Sequence, residues 1–591
     1  MIREREIMNQ QLTGYPSIDK PWLKYYSQEA INAPIPQKTV FESIYEINSK
    51  HPDDVSLMYF GRKITYKTVF ENVERVKKAF IANGVKKGDR VIMFTSATPE
   101  LIYATLALCR IGAVANMINP LFTVEQIKDR INETDAEVML VLDQLYGKIQ
   151  PILKELCIKK TVVIPVCNEM SGITKIVASV KMKKDIDYSQ AVVKWSDFIV
   201  SGKSVGDVPD VTYEKDLPLV MVYSSGTTGA SKGIVLTNDG INATISHYLS
   251  PDFPYNRGDK FLQIIPAWFS TGLVLCILMP ICLGITVIME PVYNNENFAK
   301  DIRKYSPNMT LGSTSQWLYA LSSGVLDNVD MSKLKYPITG GELILPRVEN
   351  MINDFLKKCR CESVLLKGYG MCELGSTVST DSMTVRKKGS TGIPIKGVTI
   401  AAFDMITNKE LKYDERGEIR VDSPAHMKEY FKNPEATNEY FYKDENGTLW
   451  GRTGDIGYVD EEGFVYILGR ATDTFKPETG DEEYCFDVES QIYKNEYVAQ
   501  CEVVGISVGD YDVPVAHIIM EKSCELTEEQ LIKDIHNICK ANLPEHSVPH
   551  GYKIIEAFPI KSSGKRDMEL IKQDRAGFII SVGNDIEKVD F

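Results

Sequence analysis

The stretch VYSSGTTGASKGIVLTNDG, residues 222–240, gathers the side chains of this sequence best suited to hold an anion. An apolar, β-branched run, LVMVYS, leads into it. Gly226, Gly229 and Gly233 let the backbone approach an anion, the hydroxyls of Ser224, Ser225, Thr227 and Thr228 can donate to its oxygens, and Lys232 adds positive charge. This is phosphate-binding chemistry. It is not a Walker A loop, because Ser231 stands where the second glycine of G-x-x-x-x-G-K-[ST] belongs. For this segment alone, a plain Ser/Gly linker is the alternative.

Six further short motifs follow in order: GGE at 340–342, YGMCE at 369–373, GSTGIP at 389–394, TGD at 453–455, GR at 469–470 and SSGK at 562–565. Each by itself reads as a turn or a strand end, whereas the ordered set is specific. With these motifs the sequence resembles, over nearly its whole length, the adenylate-forming superfamily of acyl-CoA synthetases, luciferases and nonribosomal-peptide adenylation domains.

The resemblance implies roles. Tyr369 lies against an adenine, with Gly340, Gly341 and Glu342 lining the same pocket, and Asp455, with Arg470 nearby, takes the ribose hydroxyls. Ser224, Ser225, Gly226, Thr227, Thr228, Gly229, Lys232 and Cys372 surround the phosphates. Glu373, joined by Thr228, holds Mg²⁺, a hard cation suited to carboxylate and phosphate oxygens. Lys565 bridges the substrate carboxylate and the α-phosphate, because two anions can meet only where positive charge is already in place. ATP, Mg²⁺ and, as co-substrate, coenzyme A follow as expected ligands. A small carboxylic acid is the expected substrate, with a carrier protein as the alternative thiol acceptor.

Several positions depart from the family pattern. Cys372 replaces the usual threonine, exchanging a hydroxyl for a weak thiol donor. Ser231 replaces a common proline and should loosen the loop before Lys232. Thr472 occupies the hinge position, about which the small C-terminal module should rotate between half-reactions, with Lys476 as a candidate helper in the second. The acidic cluster Asp481, Glu482 and Glu483 is either a solvated turn or a repulsive face toward a phosphate-bearing acceptor.

These residues need elements to position them. Strand-like runs such as RVIMFT, EVMLVLD and KTVVIPV alternate with helical stretches such as TPELIYATLALCRIG, which is the rhythm of βαβ units. Beyond residue 400, GEIRVDS, FVYILGR and QCEVVGI read as strands bounded by acidic turns. This rhythm predicts an α/β fold closed by a smaller α+β module, and the resemblance implies a large N-terminal adenylate-forming domain, residues 1–469, of parallel sheets with helices and a small β-rich subdomain, then a small mobile α+β lid, residues 470–591. The tail after Arg575 has no assigned role. In PAWFSTG, Trp268 and Phe269 are either walls of an acyl pocket or packed core aromatics. That segment has no aspartate to hold an α-ammonium, which favours a fatty or aryl acid.

The 591 residues, 44% hydrophobic and 25% charged, suit a multidomain globular protein. A formal charge of -13 argues against nucleic acid as a partner. The 12 cysteines contain no CxxC pair and the 7 histidines no HExxH, so zinc sites are not expected. No secretory signal opens the chain, and cytoplasmic residence is the expectation, with a homodimer one open assembly state. The uncharged run at 261–289 poses a membrane question, but a buried helix followed by the strand ITVIM accounts for it. GISVG at 505–509 matches G-x-S-x-G, yet its surroundings read as turn and strand, not the strand-to-helix turn of a nucleophile elbow.

Overall fold

The computed structural model describes residues 12–224, 231–291, 293–342, 344–478, 480–521, 523–559, 566–582 and 585–591. The chain divides into two compact units. The first runs to Thr453 and includes Tyr458–Ile467; the second comprises Gly454–Gly457 and Leu468–Phe591. Two sheets dominate the first unit. One has eight strands, and its centre, Val114–Met117, Arg90–Phe94, Val138–Leu142 and Lys160–Ile164, is parallel. Val138–Leu142 is buried at every position, as its uninterrupted apolar sequence VMLVL requires of a strand covered on both faces.

The second sheet has nine strands. Lys260–Gln263, Met309–Gly312, Tyr336–Gly340 and Leu366–Tyr369 are parallel neighbours in that order, joined by helical crossovers. Helix boundaries follow local chemistry. Helix Pro99–Ile111 starts where the Thr98 hydroxyl accepts from the Leu101 amide and Pro99 occupies the first turn, and it stops at left-handed Gly112. Its apolar length is almost wholly buried in the main core between the sheets.

The uncharged 261–289 region is interior. A wide π-helical segment, Thr271–Leu278, passes into the α-helix Met279–Leu283 and then into strand Thr286–Met289, with nearly every side chain buried. Among the described residues no helix is long and apolar enough to cross a membrane.

The second unit packs the helices Cys485–Ile492 and Glu528–Asn542 against a five-stranded sheet, with a core that includes Val503, Ile518, Leu531 and Tyr552. Residues 505–509 lie at the hairpin end of Val498–Val508, which pairs antiparallel with Tyr511–Met520, so no nucleophile elbow forms there. The tail finds a place: Phe578–Val582 and Asp585–Val589 complete the sheet as a hairpin.

Candidate active site

Strand direction gathers the first group of residues. The parallel register Gly312↔Thr339, Thr339↔Lys367 and Gly340↔Gly368 aligns the carboxyl ends of neighbouring strands. The segments leaving that edge are Ile264–Ser270, Gly341–Glu342 and Gly370–Glu373, which carry three of the sequence motifs. In open α/β sheets this is the edge where ligands bind. Two glycines are required by close approach: a side chain at Gly340 would place its Cβ 2.8 Å from the Gly368 carbonyl oxygen, and one at Gly370 would lie 1.8 Å from that of Ser376.

Tyr369 ends its strand half-buried, and its carbonyl accepts from the Val378 amide (2.8 Å) and the Thr377 hydroxyl (3.2 Å), fixing the turn that follows. That turn presents Cys372 and Glu373 on a single 3₁₀ turn, Cys372–Leu374. Beneath the strand, Lys367 is buried and held bidentately by Glu349 at 3.0 and 2.9 Å, with Asp381 at 3.7 Å. Burial pushes the Asp381 carboxyl up to about 7, against the pull of Lys367.

Glu373 is buried, and its carbonyl accepts from the Met427 amide at 2.6 Å. The Tyr430 hydroxyl donates to Glu373 Oε1 at 2.9 Å. Burial, then the charge of Glu373, raises the Tyr430 phenol well above its ordinary range, so it stays protonated and remains a donor. The Lys232 ammonium lies over the Tyr430 ring, 4.9 Å from its centroid. One aromatic ring thus connects the lysine of the anion-binding segment with the expected metal carboxylate. Tyr430 reaches this position because Glu429–Tyr430 pairs antiparallel with Val235 and Ile234. Tyr430 leaves no trace in the sequence, since a two-residue edge strand gives no periodic signal.

The strands flanking residues 224–232 pair antiparallel, with a register shift between Pro218 and Val220. Pro218–Tyr223 pairs with Gly233–Thr237, and the Ser224 and Lys232 backbones join through the Ser224 amide and the Lys232 carbonyl at 3.0 Å. The Lys232 amide donates to the Ser224 hydroxyl at 3.0 Å, and the Ser231 hydroxyl to the Ser224 carbonyl at 2.6 Å. Ser231, in place of the family's proline, thus bonds back to the other strand end, while the loop it was expected to loosen lies outside the described residues. Ser225, Gly226, Thr227, Thr228 and Gly229 lie outside the described residues, as does Lys565.

Trp268 is packed in the main core against Tyr293 (5.5 Å, edge-to-face), and Phe269 beside it is half-buried. Gln263 Oε1, the Trp268 indole N–H and the Ser270 hydroxyl are buried and have no hydrogen-bond partner among the described residues. Among those residues no group of three or more His, Cys, Asp and Glu side chains is placed to hold a metal ion by itself.

The second unit carries the remaining expected residues. Asp455 is buried and pairs with Arg470, Nε to Oδ1 3.1 Å, while the Arg470 side chain remains 44% exposed. Thr472 and Lys476 are exposed on the turns that follow; the Lys476 amide donates to Asp512 Oδ2 at 3.1 Å. In the acidic cluster, Asp481 and Glu482 are exposed, and Glu483 lies 3.1 Å from His546 Nε2. Arg566 pairs with Glu502, donates to the Gln500 side chain at 3.0 Å, and stacks over Phe558.

The chain matches the model of the AMP-binding enzyme family over residues 44–431, and that family's C-terminal domain over residues 487–565. The chain belongs to the AMP-binding enzyme family. Among its relatives, a long-chain-fatty-acid–CoA ligase of Bacillus subtilis is 25% identical over 556 residues, covering 92% of this chain and 96% of that one. A probable 4-coumarate–CoA ligase of Dictyostelium discoideum is 26% identical over 521 residues, covering 87% and 91%. The anthranilate CoA ligase AuaEII, solved in complex with anthranoyl-AMP, shares the fold of this AMP-binding enzyme with a TM-score of 0.78 at 20% identity, covering 92% of this chain and 98% of that one. The expected adenylate-forming architecture, large N-terminal and small C-terminal domains, is thus that of the family.

Proposed function

We propose that this AMP-binding enzyme activates a carboxylic acid with ATP and passes the acyl group to the thiol of coenzyme A. A carboxylate oxygen attacks the α-phosphorus, the bond to the β-phosphate oxygen breaks, and pyrophosphate departs. A thiolate then attacks the acyl carbon of the mixed anhydride and AMP leaves. The observation that carries this reading is the parallel register that lines up the segments of Gly340–Gly341, Tyr369–Glu373 and Trp268–Phe269 on one sheet edge, with Lys232 bound to the same group through Tyr430.

In this reading Glu373 holds Mg²⁺. One carboxylate suffices, because this ion keeps waters and phosphate oxygens in its shell, and when bound it supplies charge neutralisation along the triphosphate. Lys232 offsets phosphate charge, Tyr369 and Gly340–Glu342 flank the adenine, Asp455 and Arg470 take the ribose, and Lys565 neutralises the approaching carboxylate. Cys372 would face the α-phosphate, and Thr228 would join Glu373 in holding the metal. Thr472 serves as the hinge, and Lys476 assists the thiol step. The relatives include ligases named for a long-chain fatty acid and for an aryl acid. We assign a medium- or long-chain fatty acid, because the Thr271–Leu278 segment behind Trp268 is almost entirely aliphatic.

ATP–pyrophosphate exchange over a panel of fatty, aryl and amino acids tests the assignment. Exchange should occur with fatty acids, and coenzyme A alone should then yield an acyl-CoA by mass spectrometry. Lys565→Ala should lower exchange by roughly 10²-fold or more with folding intact. No exchange with any acid, or an unaffected variant, would refute the reading.

A further inference from the structure

Helix Gly172–Lys181, GITKIVASVK, repeats apolar residues at 173, 176, 177 and 180, the spacing that places side chains in one stripe about 100° wide. Elsewhere in the first unit such a stripe faces the core: Val40–Asn48 buries Val40, Phe41 and Ile44. Here the stripe faces outward. Ile173 is 81% exposed, Ile176 66%, Val177 44% and Val180 74%, and Ala178 is the helix's one buried residue. Scattered exposed aliphatics need no explanation, whereas a contiguous helical row of β-branched side chains does.

Charge indicates what the row meets. Lys175, Lys181, Lys183 and Lys184 flank it, and no acidic residue occurs from Met170 to Lys184 in a chain whose net charge is -13; Asp185 and Asp187 follow. The Lys175 ammonium donates to the Asn168 carbonyl at 2.8 Å, while Lys181, Lys183 and Lys184 are all exposed. A second copy of the same face would oppose lysine to lysine across a two-fold axis, which like-charge repulsion disfavours. At 10 residues, the helix is about 15 Å long, half of a bilayer's hydrocarbon thickness, so it cannot span one. An apolar row bordered by lysines suits a helix lying in the plane of an anionic lipid surface, with the aliphatic row among the acyl chains and the ammonium groups among the headgroup phosphates.

We propose that helix Gly172–Lys181 is a reversible docking element for anionic lipid bilayers. The proposal stands whichever acid the enzyme activates.

Flotation of the full-length protein with vesicles of phosphatidylcholine alone, or of equimolar phosphatidylcholine and phosphatidylglycerol, tests it. Binding to the anionic vesicles should exceed binding to the neutral ones by about tenfold at low salt, and fall as salt rises. The double variant Ile176→Ser/Val180→Ser should lose about tenfold in partitioning, with thermal midpoint and exchange on a soluble short-chain acid unchanged, because both side chains are exposed. Lys181→Glu/Lys183→Glu/Lys184→Glu should abolish the preference for anionic lipid. Equal binding of wild type and the serine variant, or no binding to either vesicle, overturns the proposal. A wild-type dimer in solution that the serine variant dissociates also overturns it, and assigns the row to a second copy.

Discussion

Glu373 in the first unit and Asp455 in the second are both buried carboxylates at family motifs, and they are held by opposite means. Glu373 accepts a neutral phenolic O–H from Tyr430, a contact that brings no positive charge to it. Asp455 faces the guanidinium of Arg470, whose half-exposed position makes the pair weak and exchangeable. The contrast teaches that the first unit meets Glu373 with a neutral donor delivered by an edge strand, while in the second Asp455 meets a half-exposed cation at the end of strand Val465–Arg470. In the role proposed for Asp455, the hydroxyl pair of a ribose would take the place of the Arg470 contact.

The heaviest way to break the comparison is to attack the buried charge in the second unit. Glu489 and Glu502 are enclosed beside Arg566; burial, then the charge of Glu502, raises the Glu489 carboxyl far above its usual range, and burial raises Glu502 despite Arg566. Arg566→Met should lower the second unit's melting temperature in calorimetric unfolding, by an amount that solvent screening of the one-third-exposed guanidinium keeps below the roughly 3–5 kcal/mol of a fully buried pair. The sign with pH follows from the raised values: the folded state holds protons that the unfolded state has released, so stability is greatest below the ordinary carboxylate range and falls as pH rises through the raised values. The variant should therefore melt lower at about pH 9 than at about pH 6. An unchanged melting temperature would mean the second unit does not depend on this cluster.

The next effect is catalytic. Glu373→Gln keeps an acceptor for Tyr430 but removes the charge, so exchange should fall by about 10²-fold with little change in melting temperature. Tyr430→Phe should follow with about a tenfold loss in kcat/KM for MgATP, the worth of one hydrogen bond to a charged group. Arg470→Ala should be mildest, a few-fold in KM for ATP, as a half-exposed pair contributes about 1 kcal/mol or less. An Arg470→Ala loss larger than that of Glu373→Gln would invert the comparison.

Much of the site was legible because its chemistry depends on residue type. Gly340 and Gly370 are demanded by backbone crowding, and the anion-binding composition around Lys232 announces itself locally. Tyr430 was not legible, since its role arises from pairing with residues about two hundred positions earlier. The hydrogen bond from Ser231 to the Ser224 carbonyl was likewise not legible, since it joins residues seven positions apart in the sequence. The lone Arg566, following Lys565, gave no hint of the carboxylates it serves.

From the sequence alone came the identity of the chemical groups, their order and the alternation of strand and helix, because these depend on side-chain type and short-range periodicity. Tertiary structure alone decided which groups meet. Parallel register brought three strand ends to one edge, an edge strand delivered a phenol to Glu373, and the helix at 172–181 was left with its apolar row outward. Periodicity fixes that such a row exists, but whether it is covered depends on the rest of the chain, and among the described residues it is left exposed.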